Sequence, residues 1–105
     1  MRDVQAEIDE LVKANRVVLF MKGSQMMPQC GFSAAAVQIV GTYTKDVVTV
    51  NVLQDPDIRQ GIKDYSNWPT IPQCYVDGEF IGGSDILREL HGSGELAEIF
   101  GAAEG

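Results

Sequence analysis

Apolar residues at Val4, Ile8, Leu11 and Val12 recur at the spacing of one helical face, with acidic residues early in the segment and Lys13 and Arg16 late. An amphipathic helix is predicted there. Val17–Met21 is instead an unbroken apolar run, too short for a helix and closed by Lys22-Gly23, which predicts a strand buried on both faces in mid-sheet. After a loop over 23–29, the alanines, Val37 and Val40 predict a helix over 33–43, and 46–52 reads as a second buried strand. Asp55-Pro56-Asp57 opens a helix, because aspartates cap free amides and proline lacks a donor that the first turn does not need. Ile58, Ile62 and Tyr65 mark its inner face. Trp68-Pro69-Thr70-Ile71-Pro72 interrupts regular structure. Two short strands, Gln73–Val76 and 79–81, then flank Asp77-Gly78, a pair favoured in tight hairpin turns. Gly82-Gly83-Ser84-Asp85 opens a helix to about Leu90, and 95–100 reads as a short closing helix.

The order αβαβαββαα implies two parallel strands joined by a helix, then an antiparallel hairpin. The parallel crossover is expected to be right-handed, with helices on both faces of a four-stranded mixed sheet. That is an α/β fold of thioredoxin-like shape, expected as one domain over residues 1–105. A 45% hydrophobic and 22% charged composition is that of an ordinary globular chain and gives no sign of disorder.

Charge narrows the partners. With 15 acidic residues against 8 basic ones and a formal charge of -7, the chain offers no general basic surface for nucleic acid or an anionic membrane. No apolar run approaches the roughly 18 residues of a membrane span, and residues 1–16 lack the basic flank and apolar stretch of a signal peptide. Two cysteines are too few for a disulfide scaffold, and no Cys/His spacing suggests a zinc site within one chain. A soluble, reducing compartment is expected: bacterial cytoplasm first, or chloroplast stroma or mitochondrial matrix if a transit peptide has been removed.

Candidate chemistry centres on Cys30. It lies between a buried strand and a helix expected to begin near Phe32 or Ser33, so free backbone amides, the helix dipole and Lys22 favour thiolate over thiol. The competing reading is a small buried hydrophobe, as many free cysteines are. Ser33 stands where a Cys-x-x-Cys motif carries its second sulfur, and a hydroxyl cannot resolve a mixed disulfide. A proline before a strand, as at Ile71-Pro72, marks a tight turn, and a cis bond there would expose backbone groups to a peptide-like ligand. Gly82-Gly83-Ser84-Asp85 offers backbone amides to a carboxylate, or is simply a capped helix start.

Together the segments Phe20-Met21-Lys22-Gly23, Pro28-Gln29-Cys30-Gly31-Phe32-Ser33, Trp68-Pro69-Thr70-Ile71-Pro72 and Gly82-Gly83-Ser84-Asp85-Ile86 resemble the monothiol, CGFS-type glutaredoxins in their single-domain form. The likeness runs from about Glu7 to Leu96, and the long loop before Cys30 fits this class. The resemblance implies a glutathione groove beside Cys30. Lys22 and Arg59 would hold a glutathione carboxylate, the latter through a planar fork. The Ile71 backbone would pair with the cysteinyl part. The Ser84 amide and the Asp85 carboxylate would take the glutamyl end.

It further implies a [2Fe-2S] cluster held between two subunits, each supplying one Cys30 thiolate and one glutathione, since such a cluster usually needs four thiolates. The expected role is delivery to iron-sulfur apo-proteins, with a homodimer when loaded, a monomer when empty, and BolA-type proteins as partners. The alternative is a glutathione-dependent oxidoreductase that deglutathionylates proteins through Cys30. That activity is expected to be weak, because the longer loop should displace the glutathione sulfur. Cys74 is expected to be a packed core thiol. His91, near a predicted helix end and without a second ligand at helical spacing, is expected at the surface.

Overall fold

A computed structural model describes residues 2–104; Met1 and Gly105 of the expected 1–105 unit lie outside the described residues. The first helix, α1 (Val4–Ala14), starts where the Asp3 carboxylate accepts the Ala6 N–H at 3.1 Å, and it buries Ile8 and Val12. The strand β1 (Val17–Met21) is buried at all five positions, as its unbroken apolar run predicts. It pairs in parallel with β2 (Val47–Asn51) and antiparallel with β3 (Gln73–Val76), and β4 (Glu79–Gly82) completes the sheet order β2-β1-β3-β4. Fully burying each large side chain of β1 contributes roughly 1.5–3 kcal/mol, which makes this strand the spine of the fold.

Alternate residues of β1 feed two cores. Val17, Leu19 and Met21 pack with Ala36, Val40, Cys74, Leu87 and Phe100 under the helices α2 (Gly31–Tyr43), α4 (Ser84–Ser93) and α5 (Glu95–Glu104). Val18 and Phe20 face the opposite way, toward Ile8 and Val12 of α1 and Ile58 and Ile62 of α3 (Pro56–Ser66). Helices therefore cover both faces of a mixed four-stranded sheet.

Several boundaries differ from the sequence expectation. The second strand is not buried: every residue of β2 is half-exposed, because it is an edge strand with β1 as its one neighbour in the sheet. Val52 leaves it to enter a short 3-10 turn, Val52–Gln54, started by the Asn51 side chain accepting the Leu53 N–H. The helix α2 begins at Gly31, ahead of Phe32, so that Cys30 itself is the capping residue with extended backbone (φ -151, ψ 135). Both closing helices run longer, α4 to Ser93 and α5 to Glu104, with Gly94 between them in the left-handed region. The hairpin turn matches its Asp-Gly signal, with both turn residues at positive φ (53 and 82).

Candidate functional site: a thiolate at a helix start

The ends of β1, α2 and the loop before β3 converge on Cys30. The backbone N–H groups of α2 that lack helical partners are turned to its sulfur. The Ser33 N–H is the largest influence holding the thiol below its ordinary value; burial opposes it, and the Phe32 N–H, the Lys22 charge and the Ser33 hydroxyl add to it. The half-buried Cys30 thiol is thus biased toward the thiolate and has access to solvent. Sequence reasoning noted Ser33 for the sulfur it lacks. The structure gives it a part: its fully buried hydroxyl accepts the Lys22 N–H at 3.0 Å, tying the end of β1 to the first turn of α2.

The loop before Cys30 is a small hydrogen-bonded hairpin. The Gln29 N–H donates to the Lys22 carbonyl at 2.8 Å and the Ser24 N–H to the Met27 carbonyl at 3.2 Å, while the Asn51 side chain accepts the Gly23 N–H at 3.0 Å. Glycine is required at 23, where φ is +94 and a Cβ would lie 2.5 Å from the Gln29 nitrogen and 2.6 Å from the Met27 oxygen. This hairpin carries Met26 and Met27 in solvent, 90% and 69% exposed, and Phe32, two residues after Cys30, is exposed as well.

Cys30 opens into a cavity of about 270 Å³ lined by Lys22, Phe32, Lys63 and the segment 69–71. A second cavity of about 260 Å³ shares Phe32, Thr70 and Ile71 with it and continues past Trp68 to Ser84 and Asp85. The two form one groove, with the Ile71-Pro72 peptide bond cis at their junction. Of the sequence-predicted ligand residues, Lys22, Ile71, Ser84 and Asp85 are brought together along this groove with Cys30. Arg59 is not among its lining residues; it is exposed on α3, one turn before Lys63, which is. Sequence reasoning missed Lys63, although its spacing of four from Arg59 on a predicted helix places both on one face.

Cys74 lies fully buried in the core opposite Leu19, and burial pushes its thiol up to about 12, so it stays protonated and inert. Both cysteines are free. His91 is exposed, as expected, and its Nδ1 is hydrogen-bonded to the Tyr43 hydroxyl. Among the described residues no group of three or more His, Cys, Asp or Glu could hold a metal ion, and no helix is long and apolar enough to cross a membrane.

A thioredoxin-like sheet with one lowered thiol at a helix start, a serine in place of the second sulfur and a cis-proline at the groove has the architecture of a single-thiol, thioredoxin-fold domain. The comparisons give its family: residues 17–81 match the Glutaredoxin family model, and the chain belongs to the glutaredoxins, in their monothiol class. It is 57% identical over 101 residues to an uncharacterised monothiol glutaredoxin of Synechocystis, covering 96% of this chain and 94% of that one. It is 50% identical over 95 residues to the mitochondrial monothiol glutaredoxin-5 of Schizosaccharomyces pombe, covering 88% of this chain and 65% of that one. The solution structure of reduced poplar apo GrxS14 superimposes with a TM-score of 0.83 at 48% identity, over 96% of this chain and 93% of that one.

Proposed function

We propose that the protein binds glutathione in the groove beside Cys30, and that two chains carry a [2Fe-2S] cluster between them for delivery to apo-proteins. The observation that carries this reading is the solitary stabilised thiolate: Ser33 replaces the second sulfur of the motif, and Cys74 is locked in the core. One chain offers one thiolate where such a cluster usually takes four. Two Cys30 thiolates and two glutathione thiolates complete the set, and because two of the four are exchangeable small molecules the cargo can leave. Lys22 and Lys63 supply positive charge for a glutathione carboxylate at the Cys30 end of the groove, and Ser84 and Asp85 receive the glutamyl end. Exposed apolar side chains near Cys30 in the sequence, Met26 and Met27 before it and Phe32 after it, offer a second chain, or a BolA-type partner, apolar surface to cover. A cyanobacterial and a mitochondrial relative fit either a bacterial cytoplasm or an organelle matrix.

The test is anaerobic reconstitution with iron, sulfide and glutathione, followed by absorption spectroscopy and sizing. A coloured dimer that depends on both glutathione and Cys30 is expected. A colourless monomer overturns the reading.

The lowered Cys30 thiol also favours a second reading, in which the thiolate attacks the glutathione sulfur of a protein mixed disulfide and releases the protein thiolate. A second glutathione thiolate then attacks the Cys30–glutathione disulfide, freeing Cys30 and forming glutathione disulfide. Rapid turnover of a glutathionylated substrate would raise this reading above the first.

A further inference from the structure

Gln73 follows the cis Ile71-Pro72 bond as the first residue of β3, and its side chain is fully buried. Its Nε2 donates to the Trp68 carbonyl at 3.2 Å and to the Thr70 carbonyl at 3.0 Å, while its Oε1 accepts the Tyr75 hydroxyl at 3.2 Å. Two carbonyls can only accept, so the amide nitrogen must face them, and the tyrosine hydroxyl meets the oxygen left over. The segment 68–72 lies outside helix and strand. Trp68 and Thr70 both line the groove, and Thr70 and Ile71 also line the Cys30 cavity. The backbone of Gln73 is itself fixed in mid-sheet, paired with Phe20 of β1.

We propose that Gln73 is a positioning residue for the peptide ligand: its buried amide clamps both ends of the 68–70 turn, so that Ile71 presents its backbone to the ligand at a set height above Cys30. The inference deepens the glutathione reading of the groove and rests on it. Only an amide of this length offers two donors and one acceptor here. Leucine would leave two loop carbonyls without this donor and take one of the Tyr75 hydroxyl's partners, and an ionised glutamate would set an acceptor against two carbonyls.

The test compares Gln73→Leu and Gln73→Glu with the unmodified protein by glutathione titration and by the emission of Trp68, the one tryptophan in the chain. Near pH 8 both variants should bind glutathione about tenfold more weakly, the loss expected from one or two hydrogen bonds. Trp68 emission should shift to the red. Lowering the pH to about 5 protonates the buried glutamate, which regains one donor, so Gln73→Glu should recover part of its affinity and emission while Gln73→Leu does not. A general loss of stability would not reverse with pH in one variant alone. Folded variants within twofold of the unmodified affinity, or a Gln73→Glu defect that ignores pH, overturn the proposal. If the unmodified protein binds no glutathione, that reading of the groove fails and the emission arm decides the clamp: a pH-reversible shift supports it and no shift overturns it. If neither variant folds, side-chain amide exchange in the unmodified protein decides. Slow exchange at Gln73 supports the clamp, and exchange as fast as at the exposed Gln25 overturns it.

Discussion

Replacing Ser33 by alanine separates what the helix start does for Cys30 from what the hydroxyl does for the fold. The hydroxyl is fully buried and accepts the Lys22 N–H at 3.0 Å; alanine leaves that donor without its acceptor where β1 ends. Losing the bond costs roughly 0.5–1.5 kcal/mol, and up to about 3 kcal/mol if water cannot reach the N–H. Alanine returns roughly 0.5 kcal/mol as the better helix former, which offsets only the low end of that loss. The net destabilisation is therefore about 0–1 kcal/mol if water reaches the freed N–H and up to about 2.5 kcal/mol if it does not, with Tm falling about 4–8 °C per kcal/mol for a domain near this size. The thiolate should fare better. The Ser33 backbone N–H is the largest influence on the Cys30 thiol and survives the substitution, as does the Phe32 N–H, whereas the hydroxyl is the smallest. Urea unfolding should reveal the stability loss, while the pH profile of Cys30 alkylation rises only slightly and stays below the ordinary thiol range. An alkylation midpoint returned to the ordinary value near 9, with stability unchanged, would refute this reasoning and assign the thiolate to the hydroxyl.

Thiol titration with a bulky reagent should count one fast group, Cys30, and a second, Cys74, that reacts only on unfolding. Because burial raises the Cys74 thiol from about 9 to about 12, folded and unfolded chains both hold its proton below pH 9. Between about 9 and 12 the unfolded chain loses it first and stability falls; Cys74→Ala should show a shallower alkaline loss in urea melts. Cys30 has the opposite sign, its lowered thiol contributing stability above the unfolded value that is lost as pH falls through the folded one. Lys63→Ala should weaken glutathione binding about twofold to fivefold, and Arg59→Ala by less, as measured by calorimetry, since Lys63 lines the Cys30 cavity. Gly23→Ala should cost more than about 2 kcal/mol and disorder the hairpin before Cys30, visible as faster amide exchange over 23–29, because its Cβ meets backbone atoms that cannot swing aside.

Much of the architecture is local in origin and was legible along the chain. Asp55 caps its helix through a bond to the amide three residues on, and Asp77-Gly78 closes its turn with two positive φ angles. The first amides of the helix that Cys30 caps lower its thiol, and strand, loop, cysteine and helix in succession already pointed to that setting, with a buried core thiol as the competing reading. The groove was legible through motif resemblance, which brought Lys22, Ile71, Ser84 and Asp85 to one place from segments far apart.

Other features belong to the tertiary structure alone, because they depend on which distant segments become neighbours. The apolar runs of β1 and β2 read alike, yet one is buried at every position and the other is half-exposed, since burial follows from having a strand on both sides. Arg59 and Lys63 share a helix face and a charge. Only the folded chain shows that Lys63 lines the cavity and Arg59 does not. Ser33, marked in the sequence by a missing sulfur, acquires its bond to Lys22 only when β1 and α2 meet. The sequence by itself determined the elements, the caps and the one reactive thiol, whose causes lie within a few residues of each. Tertiary structure decided which strand is an edge, which α3 cation lines the groove and which buried side chain bonds to the loop beside it, because those follow from contacts between segments that sequence proximity does not encode.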